Sequence, residues 1–297
     1  NLDASSILAA HGSTGLNLAS GTRLTAHQSS GVTLLLASGS GAFTNSAGSS
    51  ALAVANDASW QVYAASPLTP GQNLGGLAYA FKQYGTAFSD AGSGNGNGLF
   101  YALSPSLVAS LSGSTSKVYD GGVSAVVDPA QLHVSGVMPG DTVNLASTGP
   151  AVFASREVGS GKSVTLAGVS VASAFEGPIP VYGYQVAGGS ASAPIGTITP
   201  ATVFGSFLAA DKVYDGGTAA GISGRSLTGV LPGDQVSLEG GNIHFLDATA
   251  GTGKPVVGDL FTLAGADRGN YTLSPQPYQT TASITPAFVI EIGRAHV

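Results

Sequence analysis

Cysteine is absent from the 297 residues, which removes disulfides, thiolate nucleophiles and cysteine-ligated zinc together. Charge is scarce as well: Asp, Glu, Lys and Arg make up 9% of the chain, against roughly 25% in ordinary globular proteins. The ten Lys and Arg are scattered singly in a chain of net charge −6, so no basic stripe exists to neutralise phosphates and nucleic-acid binding is not expected. The same count argues against a polybasic membrane anchor. No apolar run approaches the roughly 18 residues that span a bilayer; the longest, such as Val32 to Ala37 with its interruption at Thr33, fall far short. Nor does a charged-then-apolar leader follow Asn1, so an export signal is expected to lie outside this sequence.

What is abundant is glycine, 44 residues, with 15 Pro and 43% hydrophobic residues. That is enough apolar surface for cores, and the chain is expected to fold with many tight turns. Residues 1–59 read as short apolar stretches between Gly, Ser and Asn, the texture of a parallel β-helix whose rungs run on the order of 20 residues. Two or three such rungs cannot bury their own faces, so the stretch is expected to be the end of a longer solenoid. Residues 60–105 hold the single Trp and many of the Tyr and Phe, and read as a cap and linker. Leu74, Leu77, Ala78, Phe81 and Tyr84 recur at helical spacing there, which predicts one short amphipathic helix.

The remainder repeats itself. Lys117-Val-Tyr-Asp-Gly-Gly122 recurs as Lys212-Val-Tyr-Asp-Gly-Gly217, Met138-Pro-Gly-Asp141 as Leu231-Pro-Gly-Asp234, Gly159-Ser-Gly-Lys162 as Gly251-Thr-Gly-Lys254, and Ile198-Thr-Pro200 as Ile284-Thr-Pro286. The matches keep their order, which defines two homologous units, 106–200 and 201–288. Between the turn residues the text alternates apolar and polar, predicting antiparallel sandwich-like modules. The expected fold class is therefore all-β: the C-terminal end of a parallel β-helix, a short cap, then two tandem antiparallel β-sandwich-like modules. Residues 289–297 read as a truncated end, because Ile292 to Val297 spell the translation of a common sequencing adapter.

The order of motifs from Lys212 to Pro286, including Gly265-Ala-Asp-Arg-Gly-Asn-Tyr-Thr-Leu273, resembles the YDG domain repeated in large bacterial adhesins. Phe43-Thr-Asn-Ser-Ala-Gly48, Trp60-Gln-Val-Tyr63 and Ser66-Pro67 resemble the end of the β-helix in filamentous-haemagglutinin-like exoproteins of two-partner secretion systems. The first unit departs from the pattern, with Ala174-Phe-Glu-Gly-Pro-Ile-Pro-Val-Tyr182 where the second has Asp267 and Asn270. The resemblance implies a secreted or surface-exposed adhesin fragment that contacts cell-surface glycans or proteins of a host or neighbouring cell. It also implies an outer-membrane two-partner secretion transporter as partner, and an extracellular or outer-surface location. It brings no catalytic residues and no cofactor.

Tyr119, Asp120 and Gly121, with Tyr214, Asp215 and Gly216, carry the repeated motif. Tyr is expected to anchor a small core, while Asp bonds its own backbone and Gly takes positive φ in a turn. The Pro-Gly-Asp turns at Asp141 and Asp234 are read the same way. Asp215, Asp267 and Asn270 are weak calcium candidates, since loop oxygens are hard ligands but no EF-hand or nonapeptide spacing surrounds them. Gly159-Ser-Gly-Lys-Ser163 is not a phosphate loop, because Arg156 stands where its first Gly is required. His11, His27, His133 and His244 are isolated from one another. Asp3 and Asp57 sit at opposite ends of the solenoid stretch and do not form the acid pair of a polysaccharide-cleaving β-helix. No nucleophile elbow is present, so no enzyme is expected. Tyr182, Tyr184, Tyr271 and Tyr278 are placed in cores in preference to stacking on sugars. A structural spacer is the competing function.

Overall fold

The computed structural model describes residues 2–88, 90 and 92–289. The adapter-like Ile292–Val297 lies outside them. Among the described residues the chain is all-β, with strands from Leu2 to Thr285, three short 3-10 turns and no α-helix. No helix there is long and apolar enough to cross a membrane.

The contacts divide the chain into two compact units. The first comprises Asn1–Gly113, Val127–Val152 and Val164–Ala193; the second comprises Ser114–Val126, Phe153–Ser163 and Pro194–Val297. Residues of the first repeat thus belong partly to each.

In the first unit, strands at the start of the chain stack in parallel. Leu2–Ala4, Leu24–Ala26 and Leu52–Val54 form one stack, with Leu2 beside Leu24 and Leu24 beside Leu52. Leu8–His11, Gly31–Ala37 and Ala58–Ala64 form a second, with Leu34 between Leu8 and Trp60. Leu16–Leu18 pairs with Phe43–Asn45 in a third. The chain visits the stacks in turn and returns one layer further on, which puts Leu34, Leu36, Phe43, Trp60 and Val62 in one buried core. Buried polar side chains in this interior hold neighbouring backbone groups. Asn45, for example, donates to the carbonyls of Gly48 and Leu74 and accepts from the Ala47 amide.

The second stack continues through Gly98–Tyr101 and Phe81–Tyr84. It then accepts Ile179–Tyr182 of the first repeat, with Val181 beside Lys82 and Tyr182 beside Gln83. Gly183 follows, and a Cβ there would lie 2.1 Å from the Tyr84 carbonyl oxygen, so only glycine allows this approach.

The helix expected across Leu74 to Tyr84 does not form. Residues 65–80 are turns and loop, and Phe81–Tyr84 is a strand buried along its whole length. A strand covered on both faces carries a continuous apolar or neutralised run instead of an alternating one, so its residues mimic helical spacing over a short window.

In the second unit, one sheet has the order Lys212–Val213, Tyr278–Thr285, Gly251–Ala264, Ser237–Phe245, and another has Ile222–Thr228, Ala201–Ala209, Tyr271–Leu273. Phe207, Leu238, Ile243, Phe245, Val256, Phe261 and Ile284 fill the core. The expected purely antiparallel modules are mixed: Thr115–Val118 runs parallel to Ser190–Thr199, and Lys212–Val213 runs parallel to Tyr278–Thr285. Parallel neighbours need a long crossover, and the body of each repeat supplies it.

Candidate functional site

Each Lys-Val-Tyr-Asp-Gly-Gly motif ends a short strand in a self-contained clamp. Asp120 Oδ1 accepts from the Gly122 amide at 2.8 Å and from Lys117 Nζ at 2.7 Å, while Nζ also donates to the Gly122 carbonyl and lies 5.6 Å from the Phe153 ring centre. In the second repeat, Asp215 accepts from Gly217 and Lys212 at 2.9 and 2.8 Å, and Lys212 lies 5.8 Å from the Phe245 ring centre. Gly121 and Gly216 take φ of 77° and 78°. The lysine bond, followed by the glycine amide, holds the Asp120 and Asp215 carboxyls below the usual carboxylate range.

The tyrosines of the two motifs part company. Both backbone amides bond the threonine of the Ile-Thr-Pro strand, Tyr119 to Thr199 and Tyr214 to Thr285, at 2.8 Å. Yet Tyr119 is 3% exposed, whereas Tyr214 is 46% exposed and does not anchor a core.

What covers Tyr119 is the second repeat's Pro-Gly-Asp turn. Asp234 Oδ2 accepts from Tyr119 and Tyr271 hydroxyls at 2.8 and 2.6 Å, and Oδ1 accepts from Arg156 Nη1 at 3.2 Å. The Leu231 amide donates to the Tyr271 hydroxyl, and the two rings meet edge to face at 5.5 Å. The Tyr271 hydroxyl bond chiefly, with Tyr119 and Arg156 behind it, holds Asp234 below the usual carboxylate range against the effect of burial. Burial first, then the aspartate, push Tyr119 up to about 12.

The same arrangement is built around Asp141 in the first unit. Asp141 Oδ2 accepts from Tyr84 and Tyr184 at 2.9 and 2.7 Å, and Oδ1 accepts from Lys82 Nζ at 2.5 Å. The Met138 amide donates to the Tyr184 hydroxyl, and the rings of Tyr84 and Tyr184 meet at 5.0 Å. Glu176 is a second carboxylate on the cation, as Asp267 is on Arg156, and lies closer: its Oε2 is 2.8 Å from Lys82 Nζ and accepts from the Tyr79 hydroxyl at 2.6 Å. Burial alone would raise the Glu176 pKa, but the bonds from Lys82 and Tyr79 prevail and lower it. Tyr84 and Tyr184 are raised by burial and then by Asp141.

Each site therefore joins two stretches of chain. An upstream segment supplies a tyrosine, from the strand Phe81–Tyr84 in one site and from just past the strand Thr115–Val118 in the other; an upstream cation stands beside it, and the downstream repeat supplies the aspartate and a second tyrosine. The recurrence of this geometry follows the recurrence of the sequence. Residues 105–177 and 198–282, more than half of the chain, match the YDG domain. The chain belongs to the YDG-domain family. No curated protein and no solved structure is detectably similar.

Of the calcium candidates in the second YDG repeat, Asp267 accepts from Arg156 Nη2 at 3.4 Å and from the Gln235 amide at 2.8 Å. Asn270 accepts from the Val158 amide at 3.0 Å and donates to Glu157. Asp215 is held by Lys212, apart from both. Among the described residues no group of three or more His, Asp or Glu side chains is placed to hold a metal ion. The reading of Asp141 and Asp234 as turn residues is incomplete. Their amides do close the turns onto Met138 and Leu231, but their side chains reach across to distant tyrosines. Lys82, Tyr84, Arg156 and Glu176 escaped sequence reasoning as partners. One signal was available: Lys82-Gln-Tyr84-Gly85 echoes Lys117-Val-Tyr119-Asp-Gly121.

Proposed function

We infer that this chain is a segment of a secreted, surface-exposed bacterial adhesin of the filamentous-haemagglutinin type, exported by an outer-membrane two-partner transporter. It acts without catalysing a reaction on a substrate, and contacts glycans or proteins of a cell surface. The observation that carries the reading is the union in one chain of parallel strand stacks, read as the end of a β-helix, with two YDG repeats. Low charge and turn-rich loops suit weak, repeated contacts. The test is binding of the full chain to arrayed glycans and to fixed cells; saturable binding supports the reading, and its absence from both overturns it. A stalk that only projects other domains is the second reading. The aspartate sites favour it, because each fixes a repeat to what precedes it.

A further inference from the structure

We propose that Lys82 and Asp141 form an intramolecular isopeptide bond, made by the protein itself, with Glu176 as proton shuttle and the Tyr84 and Tyr184 hydroxyls as the oxyanion site. Three observations converge on it. Lys82 Nζ lies against Asp141 Oδ1 at 2.5 Å, with the two side chains 5% and 0% exposed, so nucleophile and carboxyl are held together without competing water. Both tyrosine hydroxyls donate to the other carboxyl oxygen, Oδ2, where negative charge develops when an amine adds to the carbon. Glu176 Oε2 sits 2.8 Å from the same Nζ and is oriented by Tyr79.

The reaction is a condensation that needs no other reagent. One proton moves from Nζ to Oδ1, giving the amine and the acid. The Nζ lone pair then adds to Cγ, and the C=O electron pair moves onto Oδ2 under the two tyrosine hydroxyls. Glu176 takes a proton from Nζ and delivers it to the departing Oδ1 hydroxyl, which leaves as water when the Cγ–Oδ2 double bond re-forms. The Nζ–Cγ bond is made, the Cγ–Oδ1 bond is broken, and Glu176 returns to its starting state. The product keeps every polar group satisfied: Oδ2 still accepts from both tyrosines and the new N–H faces Glu176. It also removes a buried ion pair, whose desolvation is costly. The bond would tie the strand Phe81–Tyr84 covalently to the first YDG repeat.

The Asp234 site supplies the internal control. It has both tyrosines, but its cation is Arg156, a delocalised guanidinium that does not act as an amine nucleophile, and its side chain is 42% exposed.

The test is the intact mass of the purified, folded full chain, followed by peptide mapping. The expected mass is the sequence mass less one water, with a branched peptide joining the segments that carry Lys82 and Asp141. Asp120-Gly121 and Asp215-Gly216 can also lose water by closing to a succinimide, so the branch and the variants decide. Lys82→Arg, Asp141→Ala and Glu176→Gln are each expected to keep the full sequence mass, and Asp141→Asn to lose ammonia in place of water. A wild-type chain of full sequence mass overturns the proposal, as does a water loss that persists in Lys82→Arg or maps to an Asp-Gly pair.

Discussion

The sites around Asp141 and Asp234 are two versions of one device. Oδ2 takes two tyrosine hydroxyls and Oδ1 takes a cation in both, and in both the second tyrosine is fixed by the amide that opens the Pro-Gly-Asp turn. What differs is the cation and its surroundings. Lys82 is enclosed and has a second carboxylate, Glu176, whereas Arg156 is open to water and shared among Asp234, Asp267 and Glu157. A frame conserved between two copies, with its cation exchanged, separates the part that joins segments from the part that carries chemistry.

Removing the acceptor should expose the difference most strongly. Asp141→Ala leaves Lys82 buried beside Glu176 alone and is expected to cost about 3–5 kcal/mol in urea unfolding of the full chain. Asp234→Ala, whose cation can turn to solvent, is expected to cost about 1–3 kcal/mol. Equal losses would mean that burial of the cation does not distinguish the two sites.

Next comes the contrast between the motif tyrosines. Tyr119→Phe deletes a bond to a charged acceptor and should cost about 1.5–3 kcal/mol. Tyr214→Phe, half-exposed, should stay within about 0.5 kcal/mol of wild type. A comparable loss for Tyr214 in the same unfolding assay would show that its hydroxyl has a partner in solution.

A smaller effect is expected from pH. Asp234 has a lowered pKa when folded, so its contribution is complete above the unfolded value near 3.9 and is lost as pH falls through the lower folded value. Tyr119 titrates the other way. Its folded pKa is about 12 against about 10 unfolded, so its contribution is complete below pH 10 and is lost as pH rises toward 12. Unfolding midpoints of wild type and Tyr119→Phe should therefore converge across that alkaline window; parallel curves would detach the tyrosine from the aspartate. The smallest expected change is none at all: Arg156→Lys should not add a second water loss to the intact mass, because a lysine there, unlike Lys82, is open to water even though the Asp234 carboxyl is enclosed. A second loss mapped to Asp234 would show that the tyrosine frame alone suffices.

How much of this was legible depends on sequence distance. The Asp120 and Asp215 turns use residues two to five positions apart, and the sequence displays such local geometry directly. The repeat, the all-β class and the turn glycines belong to the same category. Tyr119 and Asp234 meet only after the chain has passed through most of two repeats, and nothing in either motif announces the other. Lys82 was harder still. A buried lysine looks the same in a sequence as a solvated one until the strand register places Val181 beside it. The Phe81–Tyr84 end of the expected helix has the same origin, since a strand covered on both faces loses the alternation that identifies strands, whereas Leu74, Leu77 and Ala78 lie in turns and loop.

One feature of the YDG repeat limits how copies of it can associate. The tyrosine it gives and the aspartate that receives a tyrosine are different residues on different turns, Tyr119 on the first repeat and Asp234 on the second. The contact is directional: in this chain the tyrosine of the earlier repeat reaches the aspartate of the later one. Repeats linked this way have a polarity, like arrows laid tip to tail. Each addition regenerates the donor end, as the half-exposed Tyr214 does, so the interaction itself sets no limit on the number of repeats in a row.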